Sequence, residues 1–422
     1  MKLEIIPGKS LTGHAEIPGD KSISHRAALL GALAEGKSRI EHFLNAGVTE
    51  AMLSILKQSG VSWQRAGERL EILGRGWRGL LASPNALDCG NSGTTMRLLA
   101  GALSAANIPA VLDGSAGLRI RPMKRIVVPL SEMGVDIEAA DGCAPLKISS
   151  SKLPLKGIFH EMPVASAQVK SCLLLAALAA DTPCTIIEPG PSRDHTELML
   201  KGMGISIEKW TEDYHGQIQY FTRLTPNFRQ SLSPLNVHIP GDFSAAAFLL
   251  VAGAVTPGSC ITMKSVGLNA TRIGLLEVLQ EMGAEIQITN ETIQGNELAG
   301  DLMVRHSGLH GIDVSGSAVV RMIDEFPVFA VAASFAKGKT VVHDADELRH
   351  KESDRITSLG RELIKLGVDF TETADGFIIR GNQVLGGAQV DAHGDHRIAM
   401  ALTVAGLASL QPVTVSGAEY IN

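Results

Sequence analysis

A small-residue apolar helix that ends at a Gly, Pro or polar turn and runs into a β-branched strand recurs six times along this chain. The copies are LGALAEGKSRI from Leu30, AGALSAANIPAVL from Ala100, LAALAADTPCTII from Leu175, VAGAVTPGSCITM from Val251, VAASFAKGKTVV from Val331 and VAGLASLQPVTV from Val404. Successive copies begin 70, 75, 76, 80 and 73 residues apart. A unit repeated at that interval through 422 residues cannot bury its own apolar face alone, so the chain must be modular. A second signature falls between the first: QSGVSW from Gln58, EMGVDI from Glu132, GMGISI from Gly202, EMGAEI from Glu281 and KLGVDF from Lys365. Each reads as the end of an amphipathic helix, a Gly suited to a left-handed turn, then an alternating strand. Five copies are clear and a sixth is not. The units therefore hold two helices and several strands each, an α/β (α+β) class, and three of them make a domain of roughly 200 residues. With aromatic content at 4% and Gly at 44 residues, the helices are expected to pack closely through Ala, Leu, Val and Ile.

Hydrophobic residues at 45% and charged residues at 19% exclude a disordered or fibrous chain. The net charge of −6 argues against a nucleic-acid partner held by bulk electrostatics. Cys89, Cys143, Cys172, Cys184 and Cys260 lack CxxC spacing and read as reduced packing residues. No apolar stretch opens the chain as a signal peptide would, and the long uncharged run from Phe243 is broken at Pro257-Gly258. A cytoplasmic protein with no membrane partner is expected.

Ahead of the six helices stand Gly19-Asp20-Lys21-Ser22, Gly90-Asn91-Ser92-Gly93-Thr94, Ala165-Ser166-Ala167-Gln168, Gly241-Asp242-Phe243-Ser244, Ile323-Asp324-Glu325-Phe326 and Gly394-Asp395-His396-Arg397. Helix capping explains the Asp, Asn and Ser of any one cluster. It does not call for Lys21, Arg26, Arg97, Lys170 and Arg397 near the starts of apolar helices, where cations oppose the macrodipole. Those cations are expected to gather around a bound anion, such as a phosphate or carboxylate, if equivalent helix ends converge on a cleft between two groups of three units. Arg119, Arg121, Lys124 and Arg125 of GLRIRPMKR, Arg193 of SRDHTE, and Lys351 and Arg355 of KESDR add further positive charge.

GRGWRG at Gly74–Gly79 has the spacing of a dinucleotide fingerprint, but no apolar helix follows it. Gly8-Lys9-Ser10 lacks the earlier Gly of a phosphate loop, and HGDH at His393–His396 lacks a third metal ligand. NAD, ATP and zinc thus have no support. What remains is a cation-rich site with the acids Asp324, Glu325 and Glu352, suited to moving protons between bound anionic substrates. GDKSISHR, GNSGTTMR, RPM, ASAQVK, SRDHTE, NATR, MIDEFP, KESDR and GDHRIAM, in this order, resemble the characteristic motifs of the 5-enolpyruvylshikimate-3-phosphate synthase family.

That resemblance implies a two-domain inside-out α/β barrel of six βαβαββ-type repeats, three per domain. Residues 1–19 and 241–422 would form domain I and residues 20–240 domain II, with the active site in the inter-domain cleft and the chain crossing near Asp20 and Pro240-Gly241. It implies transfer of the enolpyruvyl group of phosphoenolpyruvate to the 5-hydroxyl of shikimate 3-phosphate, by a monomer, with no metal and no cofactor. Lys21 would contact phosphoenolpyruvate and shikimate 3-phosphate and relay protons, while Ser22, Arg26, Ser166, Ala167, Gln168, Arg193 and Lys351 would hold shikimate 3-phosphate. Asn91, Gly93, Thr94, Gln168, Arg121, Arg355 and Arg397 would hold phosphoenolpyruvate. Asp324 would bind shikimate 3-phosphate and take the 5-hydroxyl proton, Glu352 would protonate the methylene carbon, and His396 would act beside them. Ala167 stands where some relatives have serine, and His195 where others have tyrosine. Gly93 implies sensitivity to glyphosate, because tolerant relatives carry alanine there. Relatives continue past the position of Asn422 into a final helix, so weaker packing of the sixth unit is expected. The sister transferase acting on UDP-N-acetylglucosamine relies on a cysteine that Asp113–Arg125 lacks, and a non-catalytic six-unit scaffold would have no use for Asp324 and Glu352 beside cations.

Overall fold

Five of the six small-residue helices start on a side-chain cap. Asp20 caps Lys21–Leu33, Ser92 caps Gly93–Ala106, Ser166 caps Ala167–Ala177, Asp242 caps Phe243–Val255 and Asp395 caps His396–Leu407, each accepting a first-turn N–H. Phe326–Phe335 begins instead at Glu325 with Pro327 in its first turn, where a missing N–H needs no partner, and this leaves Asp324 uncommitted to capping. The computed structural model describes residues 1–214, 216–227, 230–381 and 384–421, apart from the Tyr420 side chain. Asn422, where the sequence reading ends the sixth unit, lies outside them.

The structure is mixed α/β, with six separate sheets among the described residues. In four of them the strands before and after a small-residue helix run parallel: Leu87–Asp88 with Ala110–Asp113, Phe159–Glu161 with Cys184–Glu188, Asp313–Val314 with Gly338–Val342, and Gln389–Asp391 with Val413–Ser416. In the other two the entering strands are exchanged. Thr12–Ala15 pairs with Cys260–Gly267, and Asn236–His238 pairs with Glu35–Glu41. That exchange follows from the division of the chain into one unit of Met1–Ile17, Gly241–Thr292 and Leu298–Asn422, and another of Pro18–Pro240 with Ile293–Glu297. We call them the split unit and the central unit. The division falls after Ile17 rather than after Gly19, and Ile293–Glu297, read from the sequence as part of the split unit, packs with the central one. No sheet closes into a barrel among the described residues.

The second signature explains its own count. Gly60, Gly134, Gly204, Gly283 and Gly367 all have φ between 81° and 98°, and each turns a helix into the outer strand of a four-stranded sheet. The remaining sheet has three strands, Lys2–Ile5, Val413–Ser416 and Gln389–Asp391, so it needs no such turn. Val413 and Val415 are fully buried there.

Each unit has its own core. In the central unit Gly93–Ala106 and Ala167–Ala177 cross so closely that a Cβ on Gly101 would lie 2.1 Å from the Cys172 carbonyl oxygen, which is the tight small-residue packing the composition predicts. The split unit adds an aromatic cluster in which Phe326 meets Phe329 and Phe377 edge-on at 5.8 and 6.2 Å. All five cysteines are free, and burial pushes the Cys172 thiol up to about 12 and that of Cys184 to about 11. No helix among the described residues is long and apolar enough to cross a membrane.

Candidate active site

The expected residues divide between the two units. In the split unit the cluster is organised by Arg355, the first residue of the helix Arg355–Lys365 and 2% exposed. Its Nε donates to Asp395 Oδ2 at 2.8 Å and one Nη donates to Glu352 Oε2 at 2.8 Å, while the other lies 3.6 Å from Asp324 Oδ1. Burial works against its charge, but Asp395, Glu352 and Asp324 outweigh burial and hold its pKa above the usual arginine range. That second nitrogen, Nη1, is buried with no hydrogen-bond partner, so it can donate to an incoming oxygen.

Arg397 continues the arrangement from the start of its own helix. It donates to the Asp324 carbonyl oxygen at 2.9 Å and stands 3.6 Å from the Asp324 carboxylate and 3.7 Å from Glu325. Glu325 is 1% exposed, accepts from the Ser244 hydroxyl and faces Arg272, which is itself tied to the cap Asp242 at 2.8 Å. Charges thus alternate from Asp242 through Arg272, Glu325, Arg397, Asp324 and Arg355 to Asp395. Lys351 stands 3.8 Å from Glu347, and burial pushes its ammonium below the ordinary lysine range against the pull of Asp324 and Glu347. His396 sits 3.9 Å from Asp395 and is one-third exposed.

In the central unit Lys21 opens its helix, and its carbonyl accepts from His25 Nδ1 at 2.8 Å. Gln168 donates to the Thr94 hydroxyl at 3.0 Å and accepts from Arg97, which also donates to the Pro122 carbonyl at 3.2 Å. A Cβ on Gly93 would lie 3.0 Å from Arg97 Nη1 and 3.4 Å from Arg121 Nη1, which brings Arg121, Gly93, Thr94 and Gln168 together. Asn91 accepts from Ser115 at 3.0 Å. Ser22 gives its carbonyl to Arg26 at 3.0 Å, and Ala167 gives its own to Ser171 at 2.6 Å. Ser166 caps its helix, and its N–H donates to Glu188 at 3.3 Å. Arg193 is partly buried in the stretch before the helix His195–Gly202.

Two expectations about the cations need correction. Lys170 is 2% exposed and held by Glu188 at 2.6 Å and Glu197 at 2.9 Å, so its charge near a helix start is balanced by carboxylates rather than by an anion. Arg119 is likewise taken, by both oxygens of Asp113. Arg26 is 3% exposed and satisfied in part by Thr196 at 2.7 Å and Ser171 at 2.9 Å, while burial lowers its pKa to about 10 against the opposing charge of Glu197. His195, left without a role by the sequence, is buried with Nδ1 2.6 Å from Glu297. The sequence reading gave Asp395 no part beyond capping, gave Arg97 only a general one among the cations, and gave Arg272 none. The cap position of Asp395 in GDHR was the one available signal for the first.

Residues 5–422 match the family described as EPSP synthase (3-phosphoshikimate 1-carboxyvinyltransferase). The whole chain is 44% identical to a 3-phosphoshikimate 1-carboxyvinyltransferase of Thermoanaerobacter sp. (strain X514), covering 97% of that protein. It is 46% identical to one of Herpetosiphon aurantiacus, covering 96% of it. The solved structure of an EPSP synthase from Acinetobacter baumannii aligns over 100% of this chain and 95% of that one, with a TM-score of 0.87 at 40% identity. With the family motifs in order and the fold shared along its length, the chain belongs to the EPSP synthase family.

Proposed function

We infer that the chain transfers the enolpyruvyl group of phosphoenolpyruvate to the 5-hydroxyl of shikimate 3-phosphate with release of phosphate. The observation that carries this is the cluster of Asp324, Glu352 and Asp395 on buried Arg355, with Arg397 beside it. Carboxyl groups fixed among cations exchange protons with bound substrates at set positions. In this reading the 5-hydroxyl oxygen adds to C2 of phosphoenolpyruvate, Asp324 takes the hydroxyl proton and Glu352 protonates the methylene carbon. The tetrahedral intermediate then returns a methyl proton to Glu352 and loses phosphate, which takes up the proton from Asp324, and the double bond is restored. Lys21 contacts both substrates and assists proton transfer, and His396 acts beside Arg397.

Arg121, Arg355 and Arg397 grip the carboxylate and phosphate of phosphoenolpyruvate, with Asn91, Gly93, Thr94 and Gln168 alongside. Ser22, Arg26, Ser166, Ala167, Gln168, Arg193 and Lys351 hold shikimate 3-phosphate, Ala167 through its backbone. The Ala167 carbonyl is already engaged by Ser171, so its N–H is the group left for this task. The strand order that five of the sheets share supports repeated units of one βαβαββ-type plan, the unit from which an inside-out α/β barrel would be built. A cytoplasmic monomer is the state this reading expects. Incubation with both substrates while inorganic phosphate is followed tests it, and absence of phosphate release that depends on both would remove the assignment.

A further inference from the structure

Lys170 is a buried cation that the proposed chemistry does not use. Its ammonium is coordinated by Glu188 Oε2 at 2.6 Å, Glu197 Oε1 at 2.9 Å and the Ser192 carbonyl oxygen at 3.2 Å. Two carboxylates against one ammonium leave no positive charge for a phosphate, so Lys170 is not itself an anion ligand. Its partners show what it does. Glu188, at the end of the strand Cys184–Glu188, uses its other oxygen to accept from the Ser166 N–H at 3.3 Å. Ser192 immediately precedes Arg193, and Glu197 lies in the first turn of His195–Gly202 beside Thr196, which receives Arg26. The segment that holds Ser166, Ala167 and Gln168 and the one that holds Arg193 are therefore tied at one ammonium, and Arg26 joins them indirectly through Thr196.

We propose that Lys170 is a positioning residue for the phosphate-binding part of the shikimate 3-phosphate site, linking the Ser166 backbone, through Glu188, to the Ser192 carbonyl beside Arg193. This rests on the assigned function. Glu188 is the second half of the device, since both its oxygens are used, one by an ammonium and one by an amide. A glutamine there has a single acceptor oxygen and must turn its NH2 toward one of those two donors. Loss of a charge-assisted link of this kind leaves the ligands present but unfixed, and the substrate must then order them itself.

The test is calorimetric binding of shikimate 3-phosphate together with steady-state kinetics in both substrates, for wild type, Lys170→Met, Lys170→Arg and Glu188→Gln. Lys170→Met is expected to weaken shikimate 3-phosphate binding and raise its KM by about 30-fold, the range of a hydrogen bond to a charged group, with the KM for phosphoenolpyruvate within about threefold of wild type. Lys170→Arg should recover most of the loss, and Glu188→Gln should show a smaller shift of the same selectivity. Equal weakening for both substrates, or unchanged shikimate 3-phosphate affinity in a folded Lys170→Met, overturns the proposal. If Lys170→Met does not fold, unchanged affinity in Glu188→Gln overturns it. Wild type that binds shikimate 3-phosphate but releases no phosphate removes the assigned reaction while the binding comparison still decides this one. Wild type that binds none overturns both.

Discussion

Around Arg355 three carboxylates share one buried guanidinium, whereas around Gln168 the groups in contact are a threonine hydroxyl, an amide and one arginine. The split unit thus concentrates acids and bases, and the central unit concentrates neutral donors and helix starts. Its buried cations, Lys170 and Arg26, are neutralised or hydrogen-bonded internally. The difference teaches a division of labour. Proton transfer needs carboxylates at fixed positions whose charge is supported, while recognition of a phosphate needs preset N–H and O–H groups and few competing carboxylates.

The sharpest way to break this contrast is to remove the acids. Asp324→Ala and Glu352→Ala, with Lys21→Ala from the other cluster, are each expected to lower turnover by at least about a hundredfold, as loss of general acid–base groups does. Binding of shikimate 3-phosphate by Glu352→Ala should change far less than its kcat. Near-normal turnover in the two acid variants would deny the split unit its chemical role.

A second break concerns stability. Asp395 is fully buried, caps its helix through Arg397 N at 2.9 Å and faces Arg355 at 2.8 Å. Asp395→Asn keeps a capping oxygen but removes the charge from a buried pair, which is expected to cost about 3 kcal/mol. Urea unfolding measures it, and a loss below about 1 kcal/mol would mean that the neighbouring Glu352 and Asp324 suffice for Arg355.

The central unit has its own titrating group in His25. It is buried, its Nδ1–H donates to the Lys21 carbonyl, and its Nε2 lies 3.4 Å from the Ser92 hydroxyl. Burial lowers its pKa from 6.5 to about 4. Between those values the unfolded chain binds a proton that the folded chain does not, so stability is retained above pH 6.5 and falls as pH drops toward about 4. The loss from this residue is about 3 kcal/mol. His25→Gln should be less sensitive to acid over that window by this amount, and parallel stability curves for the two proteins would refute the assignment.

What the sequence made readable was local. Asp20, Ser92, Ser166, Asp242 and Asp395 announce helix starts because a short polar side chain next to an apolar run has one obvious use. The five turn glycines announced helix-to-strand turns, because a left-handed residue that ends a helix is best a glycine, and the missing sixth reflects a sheet completed by Lys2–Ile5. Lys170 was misread because its partners come from the end of a strand and the start of another helix, which no periodicity reveals. Glu325 could be noticed as an embedded acid, but its contacts with Ser244 and Arg272 depend on chains brought together only by folding. The exchange of Thr12–Ala15 and Asn236–His238 between sheets was not legible in the strands themselves, since each looks like its neighbours in sequence, and only the family resemblance implied it through the crossings near Asp20 and Pro240-Gly241.

The smallest expected effect sharpens the comparison inside the central unit. An added methyl at Gly93 would meet Arg97 Nη1 at 3.0 Å, tighter than ordinary contact, and Arg121 Nη1 at 3.4 Å, which is tolerable. Arg97 cannot yield freely, because it holds both Gln168 and the Pro122 carbonyl. Gly93→Ala is therefore expected to shift Arg97 or to push its methyl toward phosphoenolpyruvate, at about 1 kcal/mol of overpacking, seen as a KM for phosphoenolpyruvate raised about fivefold. The KM for shikimate 3-phosphate should stay near wild type, and inhibition by glyphosate should weaken at least as much as phosphoenolpyruvate binding. If both KM values rise together, the methyl has acted through Arg97 on Gln168, which serves both substrates in the proposed function. If neither moves, the neutral cluster is more compliant than its hydrogen bonds imply.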